Sequence, residues 1–295
     1  MTHGSRPRSR YPDSMLNLMV TNDDGVDSPA LWPLMSALAR LRGVRVRGVV
    51  PDRERSWIGK AITRGEKLHV RAVAGSEPEL SSVDGSPADC AHLGIHALLS
   101  PKPDLVVSGI NLGLNYGLSF FYSSGTVGAA MEASFAGVPA IAFSMGKPGD
   151  DRGWKSAART PAWRARWERA AALCAEIVEA LLHDGFPSGC DLITVNFPLE
   201  AGPETMRRIT RLAPVSYTQL FRQSGDGAFA HDYQGEVVLR GACEGTDVSC
   251  VADGRVSITP VCLDVGCNTP AAHFAHLISA TRRCVTGKRS IYPKE

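Results

Sequence analysis

Residues Leu16–Gly25 read LNLMVTNDDG, an apolar run that stops abruptly at two adjacent carboxylates. The run Leu16, Leu18, Met19, Val20 has the length and hydrophobicity of a buried parallel strand. Asp23 and Asp24 follow at its carboxyl end. Bringing two carboxylates together is costly unless a cation neutralises them. In open α/β sheets, ligands bind where such strand ends emerge. Two readings of Asn22-Asp23-Asp24-Gly25 follow, a polar turn or a hard metal ion held at a strand tip.

The rest of the first half alternates strand-like and helix-like segments, the pattern of an α/β architecture. Pro29–Leu41 is expected to be a helix, with Ser28 as cap and Pro29 at its first position. Strands are expected at Val44–Pro51, Pro103–Ser108, Ala140–Ser144 and Leu192–Phe197. Ser86-Pro87 opens a further helix, PADCAHLGIHALL, in which Asp89 favours the positive end. Val127–Phe135 and Pro161–Leu182 also read as helices, and Asp150–Thr160 as a polar loop. Beyond Pro214 the chain turns to VSYTQLF, GEVVLRG and GRVSITPV, which read as hairpins or an extended arm rather than further βαβ units. His273–Arg283 reads as a closing helix, and residues 1–14 as a disordered extension, with Met15 a candidate start.

A length of 295 residues accommodates one large core or two modest ones. The formal net charge of +2 gives no general reason to expect nucleic-acid or membrane binding. Arg6, Arg8 and Arg10 are followed by no apolar stretch long enough for a signal peptide or a membrane span, so a cytoplasmic protein is expected. None of the eight cysteines forms a C-x-x-C pair. Five of them lie in the last fifth of the chain, which leaves room for a disulfide, but free buried thiols are expected in a reducing compartment.

Three segments fall where strand-end loops belong. PDRERSWIG (51–59) offers Ser56. SGINLGLNY (108–116) offers Asn111 and Asn115, spaced as on one helical face or carried on a glycine-rich loop. SSGTVGAA (123–130) leads into a helix, where backbone N–H groups and the helix dipole favour an anion. Asp23, Asp24, Ser56 and Asn111 are all oxygen donors, which suit Mg²⁺, Mn²⁺ or Ca²⁺ better than Zn²⁺ or Cu²⁺. An anion cradle at Ser124-Gly125-Thr126 beside such a metal implies phosphoryl transfer to water.

LMVTNDDG, PDRERS, DGSPADC, DLVVSGINLGLN, YSSGTVGAAMEASFAGVPAIAFS, ITVNFP and GTDVSCVADGRVSITP, in this order, resemble the signature segments of the SurE family. That family comprises metal-dependent phosphatases acting on nucleoside monophosphates, called 5′-nucleotidases or survival proteins. The resemblance runs from about Met15 to about Asp264. It implies a Rossmann-like three-layer sandwich with a mostly parallel sheet, a single domain over 15–295. Its C-terminal portion, about 214–295, is then an arm exchanged between the subunits of a homodimer or homotetramer. It implies one divalent ion per subunit, Mg²⁺ or Mn²⁺, bound by Asp23, Asp24, Ser56 and Asn111. It also implies phosphate binding by Asn115, Ser124, Gly125 and Thr126. Catalysis is expected by attack of a metal-bound water, with one aspartate, Asp23 in preference, orienting or deprotonating it. The expected activity is that of a 5′-nucleotidase, with 3′-nucleotidase and exopolyphosphatase activities as extensions.

The chain departs from the family pattern at three places, one of them Leu118-Ser119-Phe120-Phe121-Tyr122, where the family usually has acidic residues. Trp57 stands where the family usually has a glycine. The turn reads YSSGT in place of YSGT, and Ser124 is taken as the phosphate-binding serine because it directly precedes Gly125-Thr126. These departures keep a second reading open, a non-catalytic nucleotide- or phosphate-binding protein on the same scaffold. Other sites have weaker support. His92 and His96 are four apart but lack the glutamate of H-E-x-x-H, so packing or surface roles are expected. No G-x-G-x-x-G or G-x-S-x-G element is present, and the aspartates are adjacent rather than in D-x-D.

Overall fold

The structure is a computed structural model that describes residues 15–147, 153–233 and 237–266. The expected N-terminal extension, the helix at 273–283, Cys267 and Cys284 lie outside the described residues. The chain divides into a compact unit ending at Leu263 and a second unit from Asp264 onward.

β1 (Leu16–Thr21) delivers the Asn-Asp-Asp-Gly turn, and α1 (Leu31–Ala39) returns the chain to β2 (Val44–Pro51). β3 (Val70–Ala72) and β4 (Leu80–Val83) precede α2 (Pro87–Leu93) and a π turn over Gly94–Leu98. β5 (Leu105–Leu112), α3 (Gly117–Ser123), α4 (Gly125–Phe135) and β6 (Ala140–Gly146) follow. α5 (Lys155–Ala158) and a 3₁₀ turn lead into α6 (Arg164–Asp184) and β7 (Leu192–Pro198). After β8 (Arg207–Ile209) come β9 (Val215–Tyr217), β10 (Phe221–Gly225), β11 (Ala228–His231) and β12 (Val237–Leu239). α7 (Asp247–Ala252) and β13 (Val256–Val261) close the first unit.

Nine strands form one sheet in the order β3-β4-β2-β1-β5-β6-β7-β13-β8. The six from β4 to β7 are mutually parallel, whereas β13 pairs antiparallel with β7. Alternation along β1 sends side chains into two cores. Leu18 and Val20 pack with Leu34 of α1 and Trp167 of α6, and Met19 packs with Cys90 of α2 and Val127 of α4. Each such fully buried aliphatic side chain contributes roughly 1.5–3 kcal/mol. The result is the mostly parallel three-layer sandwich that the sequence implied.

Local differences have physical causes. Ser28 does not cap α1, because the preceding turn consumes the chain first. Asn22 Oδ1 accepts from Gly25 N–H, and Ser28 N–H donates to the Gly25 carbonyl. The helix therefore starts at Leu31, without a side-chain cap. Ser86, by contrast, forms the full capping box with Asp89. β5 continues past Ser108 through the SGIN segment, so Asn111 stands on a strand and Asn115 on the loop after it, not together on a helical face. GRVSITPV is not part of a peripheral hairpin, since β13 is a strand of the central sheet with Ser257 and Thr259 buried against β7. VSYTQLF and GEVVLRG do form small two-stranded pairings, through β9, β10 and β12. The six described cysteines are free thiols. No helix of the described residues is long and apolar enough to cross a membrane.

Candidate active site

The carboxyl ends of β1, β2 and β5 and the start of α4 converge on one cavity. Asp23, Ser56, Asn111, Asn115 and Ser124 line it. Asp24, Gly125 and Thr126 stand behind this wall and hold it.

Asp23 and Asp24 are 3% and 5% exposed, so both carboxyls sit almost out of water. Burial pushes Asp23 up to about 6, against the hydrogen bond from Thr126. Burial, then the neighbouring charge of Asp23, pushes Asp24 up to about 8. The Thr126 hydroxyl donates to Asp23 Oδ1, and the Leu112 backbone N–H donates to Asp24 Oδ2 at 3.1 Å. Thr126 is itself fixed by Ser108, whose hydroxyl donates to the Thr126 carbonyl at 2.7 Å. Gly125 has no room for a side chain, because a Cβ there would lie 2.9 Å from the Cβ of Asp23 and 3.1 Å from the Arg55 carbonyl oxygen. The helix start and the carboxylate pair thus form one packed unit.

Asn111 owes its position to an irregularity. The register of β5 against β6 shifts between Ser108 and Asn111. Gly109, at φ +130°, allows it, since a Cβ would meet the Phe143 carbonyl oxygen at 2.4 Å. The Asn111 amide nitrogen donates to the Gly113 carbonyl at 2.8 Å, so its carbonyl oxygen is the atom that would meet a cation in this cavity. Asn115 is held on two sides: its backbone N–H donates to Asn196 Oδ1 and its amide to Ser144 Oγ, both at 2.8 Å. Ser56 is half-buried and donates to Glu54 Oε1 at 2.9 Å. Ser124 caps α4, its oxygen accepting from Val127 N–H at 3.1 Å.

The donor set fits a hard divalent cation. Two carboxylates forced together in a dry pocket are stable as anions only beside positive charge, and the neutral donors around them are hydroxyl and amide oxygens. Among the described residues no group of three His, Cys, Asp or Glu side chains is arranged for a metal, so neutral oxygens would have to complete this shell. His92 and His96 form no such group. Their rings lie 4.6 Å apart, and His92 pairs with Glu132 at 2.8 Å. Burial pushes Glu132 up, but hydrogen bonds from Lys60 and His92 outweigh it and hold the carboxyl below its ordinary value.

The remaining cavity wall carries residues to which the sequence motifs did not point. Trp57, at φ +62°, sits in an aromatic group with Phe120, Tyr217, His231 and Tyr233 at centroid distances of 5.9, 5.7, 4.9 and 5.4 Å. A left-handed backbone is unfavourable for so bulky a residue, and these contacts hold it there. Trp57, Tyr116, Phe120 and Tyr233 all face the cavity, and Lys147, Trp154 and Lys155 complete its rim. The advance signals were two departures from the family pattern, the tryptophan beside Ser56 and the stretch that carries Phe120.

The family model described as Survival protein SurE matches residues 18–219. A protein named 5′-nucleotidase SurE from Geobacter sulfurreducens is 38% identical over 85% of this chain and 89% of its own length. 5′-Nucleotidase SurE 1 from Thermus thermophilus is 37% identical, covering 85% and 93%. Among solved structures, the SurE protein from Aquifex aeolicus superposes with a TM-score of 0.68 at 33% identity, over 89% of this chain and 99% of that one.

Proposed function

This chain belongs to the SurE family, and from that premise we propose that it is a divalent-metal-dependent 5′-nucleotidase, hydrolysing nucleoside monophosphates to nucleoside and phosphate. The observation that carries this reading is the buried Asp23–Asp24 pair on a cavity otherwise lined by neutral oxygen donors, aromatic rings and lysines. Asp23 and Asp24 hold one Mg²⁺ or Mn²⁺ per subunit, with Ser56 and Asn111 completing the oxygen set. When bound, the ion supplies positive charge against phosphoryl oxygens and makes water more acidic.

The chain's own groups do the rest. Asp23, oriented by Thr126, accepts a hydrogen bond from the attacking water and aims it. Asn115, braced by Ser144 and Asn196, and the Ser124 hydroxyl donate to phosphate oxygens and stabilise the charge developing there. Gly125 lets α4 approach closely enough for this. Trp57, Tyr116, Phe120 and Tyr233 offer a flat apolar wall for the nucleoside. The hairpin of β10 and β11 exposes Phe221 and Phe229, and we assign subunit assembly to this C-terminal region. The free thiols of the described cysteines support a reducing, cytoplasmic setting.

A panel of nucleoside 5′- and 3′-monophosphates and short polyphosphate, assayed for phosphate release with Mn²⁺ present, tests the reading. Release is expected from the 5′-monophosphates, with 3′-monophosphates and polyphosphate as secondary substrates. Nucleotide binding without release by folded protein would replace the enzyme with a binding protein, and would direct attention to Trp57.

A further inference from the structure

Charge balance in the cavity calls for cations that no motif supplies. The two carboxylates of Asp23 and Asp24 already contribute two negative charges, and a phosphate monoester adds about two more at neutral pH. One divalent ion offsets about half of that total. The cradle residues cannot offset the remainder, because Asn115, Ser124 and Thr126 are neutral. They are also partly committed: Thr126 donates its hydroxyl to Asp23, and Asn115 donates an amide hydrogen to Ser144. Among the described residues lining the cavity, the only cationic side chains are Lys147 and Lys155.

Resting on the nucleotidase reading, we propose that Lys155, seconded by Lys147, is a cationic clamp that binds the substrate phosphate in the cavity it shares with the Ser124 turn. Lys155 begins a helix of four residues, too short to hold its place unaided. Tryptophans anchor it. Trp154 is 6% exposed and stacks on Trp163 at 5.7 Å and 22°, and Trp163 leans on Trp167 at 6.5 Å. The Arg166 guanidinium covers the Trp163 ring at 4.5 Å. Trp167 Nε1–H donates to the Ala158 carbonyl at 2.8 Å, which ties the end of the short helix to α6. On the other side Arg159 pairs with Glu54 at 3.1 Å, and Glu54 accepts from Ser56. The lysine is thus mounted on a rigid base, with its charged side chain on the cavity wall.

The test is equilibrium binding of inorganic phosphate to Mg²⁺-loaded protein, for wild type, Lys155→Met and Lys155→Arg, with Mg²⁺ affinity measured separately. Lys155→Met is expected to weaken phosphate binding about tenfold or more in dilute salt. Lys155→Arg should stay within about threefold, because it keeps the charge. The gap between wild type and Lys155→Met should narrow at high ionic strength. Wild-type phosphate affinity in Lys155→Met overturns the clamp, as does an equal loss of Mg²⁺ affinity, which would mark a structural role. Hydrolysis by the wild type is followed in parallel. Lys155-dependent phosphate binding without hydrolysis would leave the clamp standing and remove the nucleotidase; hydrolysis with an indifferent Lys155→Met would remove the clamp alone.

Discussion

Asp24→Asn is expected to reduce turnover by on the order of a thousandfold or more, while making the metal-free protein more stable at pH 8. Both effects come from one arrangement. The carboxylate is needed to hold a divalent ion, and without that ion it is a buried charge beside another. Its pKa in the fold, about 8, lies above its ordinary 3.8. A group raised in this way favours the folded state most below its unfolded pKa, and the benefit fades as pH rises toward the folded value. The wild-type metal-free protein should therefore lose stability between pH 4 and pH 8, and Asp24→Asn should lose less, keeping only the part that Asp23 contributes up to about pH 6. At about 1.4 kcal/mol per pK unit the difference at pH 8 should reach ~2 kcal/mol or more. Asparagine can still accept the Leu112 N–H, so the local backbone stays in place. Asp23→Asn follows the same pattern with a smaller gain, because its shift is smaller. Ser56→Ala should be milder in activity than either, since water can replace a neutral ligand. Denaturant melts of EDTA-treated protein across this pH range, together with activity assays, check the prediction. A variant that is less stable at pH 8, or that keeps near-wild-type turnover, contradicts it.

Asp247→Ala is expected to cost about 3–5 kcal/mol of stability. Asp247 is fully buried and gathers three backbone donors: Gly117 N–H at 2.6 Å, Ala213 N–H at 2.9 Å and Val248 N–H at 2.9 Å. Alanine would leave all three without their acceptor. The damage should reach the site, because Gly117 starts α3 and α3 carries Phe120 to the cavity wall. Ala213 leads into Val215 and Tyr217, which pack in the same aromatic cluster. Denaturation midpoints of wild type, Asp247→Ala and Asp247→Asn measure the effect, with asparagine intermediate because it keeps one acceptor oxygen. A loss below about 1 kcal/mol for alanine would show that water or backbone movement serves these donors instead.

Asp247 also illustrates which parts of the molecule were legible in the sequence. Its partners lie 130 and 34 residues away, and no local pattern links them. Local patterns did reveal local structure. β2 has the boundaries its alternation and Pro51 suggested, and Ser86 with Asp89 forms the cap that its spacing announced. Where local signals competed, the tertiary context won. Ser28 looked like a cap but fell in a second turn, closed by its own N–H on the Gly25 carbonyl. GLSFFYS, rich in β-favouring aromatics, is nevertheless helical, with Phe120 and Phe121 buried in two different clusters. The bulge at Gly109 carries Asn111 onto the end of a strand, which periodicity has no means of showing.

For the site, the carboxylate pair was visible because its chemistry is written in adjacent residues. The coupling of Thr126 to Asp23 across 103 positions was not, and it makes Thr126 a support for the carboxylate pair. Lys155 was hidden in a stretch that read only as a polar loop. Its meaning depends on the stacked Trp154, Trp163 and Trp167, which are brought together only in the fold.

The most direct measurement is phosphate release from a nucleoside 5′-monophosphate by protein stripped with EDTA, before and after Mn²⁺ or Mg²⁺ is restored. Negligible release from the stripped protein, recovered on adding either ion and not recovered in Asp23→Asn or Asp24→Asn, is the predicted result. Full release without metal, or metal-restored release in the aspartate variants, would contradict the assignment of this site.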